Sequence, residues 1–299
     1  MAVRLIHFSD VHLTAEPLGW RDRDWFSKRV TGWINWHWCG RGQRFRRADE
    51  IVALLTADIM RRRPDRVIFS GDATALGFET ELARAAALLG VHEPAMPAGL
   101  AVPGNHDHYT QEAAASGLFE RYFRPWLRGE RIDDQPYPFA QQVGPLWLIG
   151  VNSCIGGRWP WDARGAVGAE QLARLDRLLR QLPVGPRFLV THYPVCRADG
   201  RPEPPYRSLR DLDDLLAVAR TGQVALWLHG HRHEPFHRCR HDGVPFPVIG
   251  AGSATQEGLW SHGEYVVDGC RLRGVRRVYQ PESRAFADVE TFELELALP

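Results

Sequence analysis

The sequence predicts an α/β protein whose short, buried strands are covered by amphipathic helices. Apolar runs of strand length recur along the chain and stop at glycine or at polar residues. Longer stretches with helical periodicity lie between them. Of the 299 residues, 44% are hydrophobic and 24% charged, enough apolar material for a sizeable core and against disorder.

The first strand is Val3–Phe8, apolar and almost at the start. Further runs at 67–70, 100–102, 187–191 and 224–228 follow the same design. Helical patterns at 47–62, 79–89, 169–182 and 209–220 separate them. Beyond His233 the pattern changes to strands and turns, at 246–249, 264–267, 272–278 and 289–296. This tail is expected to complete a second sheet, so residues 1–299 are expected to form one domain.

One segment breaks the pattern. A tryptophan- and arginine-rich insertion occupies about 16–47. Within it lie Trp20, Trp25, Trp33, Trp36 and Trp38, with Lys28, Arg41, Arg44 and five further arginines. Packed through its tryptophans it makes a helical lid. Exposed, it suits lipid headgroups or a large anionic substrate, because indole is amphipathic and guanidinium meets phosphate. Peripheral membrane contact through 18–47 is therefore one expectation.

The net charge of +1 gives no general preference for polyanions, and no nucleic-acid partner is expected. Of 37 basic residues only Lys28 is a lysine, a bias that codon usage or phosphate binding would each produce. The five cysteines are odd in number and widely spaced, which argues against a disulfide framework or a thiolate zinc site. No cleavable leader and no spanning segment are expected, so the cytoplasm is the expected compartment.

The strands end on chemistry. Asp10 and His12 follow the first, and residues two apart on extended chain point the same way. Gly71-Asp72 follows the second, Gly104-Asn105-His106-Asp107 the third, His192 the fourth, and Gly230-His231-Arg232-His233 the fifth. Ligands in open α/β sheets bind beyond the carboxyl ends of strands, so these groups are expected to converge. Imidazole, carboxylate and amide oxygen without thiolate suit Mn, Fe or Zn better than Ca. Seven ligands exceed what one catalytic zinc takes, and two metal ions sharing a carboxylate fit the number. The alternation of His237, Cys239 and His241 reads as a strand, not a further metal site.

The stretches His7-Phe8-Ser9-Asp10-Val11-His12, Ser70-Gly71-Asp72, Val102-Pro103-Gly104-Asn105-His106-Asp107, Thr191-His192 and Leu228-His229-Gly230-His231-Arg232-His233 resemble the calcineurin-like metallophosphoesterases. All five family motifs occur in order. The resemblance implies two facing mixed β-sheets flanked by helices, a four-layer sandwich with two metal ions at one edge. It implies that Asp10, His12 and His233 hold the first metal, that Asn105, His192 and His231 hold the second, and that Asp72 bridges them. His106 would stand beside the substrate as proton donor or transition-state stabiliser. The interval from His12 to Asp72 is longer than in compact members because it contains the insertion.

The expected function is hydrolysis of a phosphoester, most simply a phosphodiester, by in-line attack of a hydroxide between the metals. Other readings are a lipid-phosphoester hydrolase with the insertion facing the membrane, a nuclease, and a non-catalytic scaffold. A nuclease predicts a basic groove or an added DNA-binding domain. A scaffold predicts lost ligands, whereas all seven positions here are filled. Asp107 is expected to fix a histidine ring or to cap a helix entering at Gln111. His108 and Tyr193 are further residues that would touch substrate, and the loop around Trp159-Pro160-Trp161-Asp162 would shape the pocket near Asn152.

Overall fold

The computed structural model describes residues 2–297 apart from 158, 160 and 242. Pro160 of the expected pocket loop lies outside the described residues. Two six-stranded mixed sheets, flanked by helices, form the frame. The first holds β1 (Val3–Phe8), β2 (Arg66–Phe69), β3 (Gly99–Ala101), β10 (Ser261–Asp268), β11 (Arg271–Gln280) and β12 (Ala285–Glu295), in the order β12-β11-β10-β1-β2-β3. The second holds β4 (Phe139–Val143), β5 (Leu146–Gly150), β6 (Arg187–Val190), β7 (Val224–His229), β8 (Pro235–Arg238) and β9 (Val248–Ala251), in the order β4-β5-β6-β7-β9-β8.

The helices are α1 (Lys28–His37), α2 (Ala48–Arg62), α3 (Glu79–Leu88), α4 (Gln111–Ala115), α5 (Leu118–Tyr122), α6 (Ala169–Gln181) and α7 (Leu212–Thr221). Strand alternation sorts the core into layers. Leu146, Leu148, Phe188, Val190 and Leu228 face the first sheet, where they join Leu5, Ile68 and Leu100. Their neighbours Trp147, Ile149, Leu189 and Trp227 face outward, onto Leu175 and Leu179 of α6 and Leu215 of α7.

The sequence and the structure differ in two places. The tail is divided instead of completing a single sheet: β8 and β9 finish the second sheet, while β10–β12 extend the first from the free edge of β1. The β4–β5 hairpin is absent from the predicted strands. Its alternation is masked by Gln141, a buried amide that donates to the carbonyls of Gly99, Trp126 and Arg128.

What matters for the site is direction. Strands β1, β2 and β3 run parallel, as do β5, β6, β7 and β9. The loops after β1, β2, β3, β6 and β7 carry the polar motifs, and the structure gathers them at one place.

Candidate metal centre

The ligand loops are not extended. Asp10, His12, Asp72, His231 and His233 all have positive φ, from 44° to 73°, and they make up five of the nine such non-glycine residues described. Each costs roughly 1–2 kcal/mol against ordinary backbone. The strain is held by hydrogen bonds: Asp10 N donates to Gly71 O at 2.9 Å, and Ser253 Oγ donates to Asp10 O at 2.7 Å. The convergence of Asp10 with His12 therefore comes from a left-handed turn, not from strand alternation. Glycine is required beside Asp72, since a Cβ on Gly104 would stand 2.1 Å from Asp72 Oδ1.

The same turn separates His231 from His233. His233 Nε2 lies 3.1 Å from Asp10 Oδ1 and 3.0 Å from His12 Nε2. His231 Nδ1 instead lies 2.9 Å from Asn105 Oδ1 and 3.3 Å from His192 Nε2. Asp72 stands between the two groups, its Oδ2 3.6 Å from His12 Nε2 and 3.4 Å from His192 Nε2. All seven residues expected as ligands thus meet in two adjoining clusters. Asp10, His12, Asp72 and His233 offer ligand atoms within 4.8 Å of one another.

The donor chemistry calls for a cation. His12 Nδ1 faces Thr74 O at 3.3 Å, and His233 Nδ1 faces Gln256 Oε1. Carbonyl oxygens only accept, so both Nδ1 atoms carry the proton and both Nε2 atoms present lone pairs. Those lone pairs point at each other and at Asp10 Oδ1, a buried oxygen without a hydrogen-bond partner. Three acceptors converge with no hydrogen between them, and a metal ion satisfies all three. In the second cluster, His192 Nδ1 donates to Ser70 O at 2.8 Å, which turns Nε2 toward Asn105 Oδ1 at 3.1 Å.

Electrostatics agree with this. Burial, the largest influence, pushes His12 down to about 4, and it holds His231 well below the usual imidazole range. Burial also opposes charge on Asp10 and Asp72, but the surrounding histidines, His233 foremost at Asp10 and His192 at Asp72, hold both below the usual carboxylate range. At His192 burial again works against charge, and Asp72 with Asp10 overrides it and lifts the ring to about 9. The centre attracts positive charge, as a proton on His192 or as a cation.

The residues around the ligands take different parts from those expected. Asp107 neither caps α4, whose cap is Thr110, nor reaches a histidine ring. Its buried carboxylate accepts from the backbone N–H groups of Asp72, Thr74 and Gly104, tying two ligand loops together. His108 points away from the cavity, toward Cys154 O at 3.2 Å. Tyr193 is fully buried, with its ring 4.4 Å from that of His231.

His106 sits at the cavity wall with Nδ1 donating to Ala75 O at 2.6 Å. Its Nε2 therefore carries a lone pair, which accepts from the Arg41 guanidinium at 2.8 Å. Burial and then Arg41 hold the ring well below the usual imidazole range, so His106 is neutral. Arg41 comes from the insertion, as does Phe45, whose ring lies 4.7 Å from His12. Trp20, Trp33 and Trp36 pack the insertion on Ala75, Leu76 and Phe78, while Trp25 and Trp38 stay exposed.

Arg41, Arg207 and Gln256 were not marked by any strand-end motif. The periodicity gives no sign of them, because each acts from a loop brought in by tertiary packing. A cavity of about 500 Å³ opens over the centre, with Asp72, Asn105, His106, His231 and His233 among its walls and Trp161 at its side. That volume is in the range of small-molecule sites.

Comparison with known proteins bears on this centre. A family model described as calcineurin-like phosphoesterase matches residues 3–235. No curated protein sequence matches the chain. Among solved structures, a dimetal phosphatase from Danio rerio superposes with a TM-score of 0.64 at 14% identity, covering 99% of both chains. Purple acid phosphatase from yellow lupin (Lupinus luteus) seeds superposes with a TM-score of 0.62 at 13% identity, and the match covers 99% of this chain but 54% of the lupin one. At such identities the likeness is one of fold.

Proposed function

Because the chain belongs to the calcineurin-like phosphoesterase family, we propose that it hydrolyses a phosphodiester at a two-metal centre. Asp10, His12 and His233 would hold one metal ion, Asn105, His192 and His231 the other, with Asp72 shared. The observation that carries this reading is the meeting of lone pairs from His12, His233 and Asp10 with no hydrogen between them. Without thiolate, the donor set suits Mn, Fe or Zn. Bound there, the metals would supply Lewis-acid activation of water and of the phosphoryl oxygens.

The chain's own residues do the rest. Water oxygen bonds to phosphorus, the opposite phosphorus–oxygen bond breaks, and one proton passes from the water to the departing oxygen. His106 has no proton to give, because Nδ1 is committed to Ala75 and Nε2 accepts from Arg41. Of its two expected roles, stabiliser fits better than proton donor: it aims the guanidinium of Arg41 at charge developing on the phosphoryl group. The departing oxygen takes this proton through water in the open cavity, which gives one up to it and regains one from the attacking water.

A panel of aryl phosphomonoesters, aryl phosphodiesters, cyclic nucleotides and lipid phosphates, run on metal-reconstituted protein, tests the function. Diesters should turn over fastest, and the absence of turnover on every member would exclude it. His106→Ala should lower kcat by roughly 10²–10³-fold, equally for good and poor leaving groups. A loss that grows with the leaving group's pKa would return His106 to the role of proton donor.

One observation favours a lipid phosphoester as the substrate. Phe26 is 94% exposed, Trp38 73% and Trp25 59%, all on the insertion. No helix among the described residues is long and apolar enough to cross a membrane, so contact would be through such side chains. Wild-type protein should float with vesicles of phosphatidylcholine and phosphatidylglycerol, and the triple variant Trp25→Ala, Phe26→Ala, Trp38→Ala should not. Equal flotation, or none by either, would count against membrane contact.

A further inference from the structure

The walls of the cavity carry more positive charge than a single phosphoryl group uses. Lys28, Arg41, Arg44, Arg207 and Arg232 all line it. Arg232 is paired with Glu203 at 3.3 Å. The other four have no carboxylate partner among the described residues. Asp162 lies on the same wall, but it is engaged by Arg164 at 2.8 Å and Arg210 at 3.2 Å.

The four charges come from two sides of the cavity, and the fold holds Lys28 and Arg41 in place. Lys28 begins α1, its Nζ 4.3 Å over the ring of Tyr109. Tyr109 is admitted by Gly32 of the same helix, where any Cβ would stand 2.2 Å from its hydroxyl. Arg29 fixes the helix from below by donating to Leu76 O at 3.2 Å. Arg41 and Arg44 follow after the helix, and Arg207 faces them from the loop before α7. Arg207 is near enough for its charge to act against that of Arg41. Arg41 also keeps its Nε buried without a partner. Lys28 and Arg41 are withdrawn from water, while Asp162 acts on Lys28 and Glu203 on Arg207 only from beyond pairing distance; like charges gathered so are eased when an anion joins them.

The carboxylates of the centre do not serve as that anion. Asp10 and Asp72 would be spent on the metal ions, and the metals add positive charge of their own. Guanidinium forks match phosphate oxygens in pairs, which sets phosphate above carboxylate as the partner.

Resting on the phosphoesterase reading, we propose that the substrate carries a second phosphate group beside the scissile one. Lys28, Arg44 and Arg207 hold this second phosphate, and Arg41 stands between it and the reacting group. The insertion is then the part of the chain that reads the substrate.

A matched pair of substrates tests this on the metal-loaded protein: the p-nitrophenyl ester of thymidine 5′-phosphate, with and without a 3′-phosphate. Both share one scissile diester and one leaving group. The 3′-phosphorylated compound should show a kcat/KM at least about tenfold higher, from charge-assisted hydrogen bonds to the second phosphate. That ratio should fall toward one in Arg44→Ala and in Arg207→Ala, and it should shrink with added salt. As a readout without turnover, thymidine 3′,5′-bisphosphate should quench tryptophan fluorescence of the metal-free protein at lower concentration than thymidine 5′-phosphate, and Arg207→Ala should abolish the difference. Hydrolysis of both esters at equal efficiency, or a ratio unchanged by the two variants, overturns the second-phosphate site and leaves the phosphoesterase reading standing. Hydrolysis of neither overturns both.

Discussion

Asp72→Asn is expected to lower kcat/KM by roughly 10³-fold, at the upper end of what loss of one electrostatic contact in an active site costs. Bound metal should fall from about two ions per chain to one or fewer. Asp72 Oδ2 lies between His12 Nε2 and His192 Nε2, and its Oδ1 accepts from His106 N at 2.7 Å. An amide of the same shape keeps one acceptor but removes the charge both clusters share. Metal analysis after dialysis, with turnover on an aryl diester, measures both effects. Two retained ions with normal turnover would show that Asp72 does not join the clusters. Asp107→Asn makes a useful companion, because it disturbs the loop junction without touching a ligand atom.

Metal-free protein is expected to lose stability steeply as pH falls from about 6.5 to 5. Burial pushes His7 and His262 down to about 3 and His229 to about 4, and it lowers His12 likewise. Depressed in the folded state, each binds its proton first in the unfolded chain, which gains as pH drops through the ordinary imidazole value. Each ring therefore subtracts about 2 kcal/mol by pH 5. Glu81 and Asp107 run the other way: burial lifts both to about 7, so the folded state takes up their protons first and gains as pH falls. His192, raised to about 9, has made its full contribution once pH is below the ordinary value.

Four rings against two carboxyls leave a net loss of about 3 kcal/mol by pH 5, to which His106 and His231, also held below the usual imidazole range, add; this is a large part of the usual 5–15 kcal/mol. Thermal unfolding followed by circular dichroism at several pH values, with chelator present, reads it directly. His262 isolates one proton. Both of its ring nitrogens are buried without a hydrogen-bond partner, and the ring packs edge-on against Phe286. His262→Phe should hold stability at pH 7 and flatten the acid limb. A Tm independent of pH between 7 and 5 would contradict the whole assignment.

Most of the candidate centre was legible because its residues follow strand ends, and strands are the part of a sequence that hydrophobic pattern marks best. Asp10, Asp72, Asn105, His192 and His231 could be placed that way. The pattern could not reveal how the loops turn. Two histidines at i and i+2 suggest one shared target, whereas positive φ at His231 and His233 sends them to different clusters. Nor could it reveal groups that arrive through tertiary packing: Gln256 on His233, Arg41 on His106, Asp107 across three backbone donors. The insertion was visible as composition. That three of its tryptophans anchor it while two remain exposed depends on a surface formed by Ala75, Leu76 and Phe78, far away in sequence.

The placement of that insertion has a consequence for descent. It leaves the frame after Leu13, which pairs with Thr74, and rejoins it at α2. Every residue of the two ligand clusters lies outside it. Mutation can therefore exchange most of the segment while the residues of the two clusters are inherited unchanged; Arg41, which reaches His106 from the insertion, is the exception. The tether is Phe45, wedged against His12 and His233. It is the position at which such an exchange would first be felt by the chemistry, and so the place where drift in the insertion should be slowest.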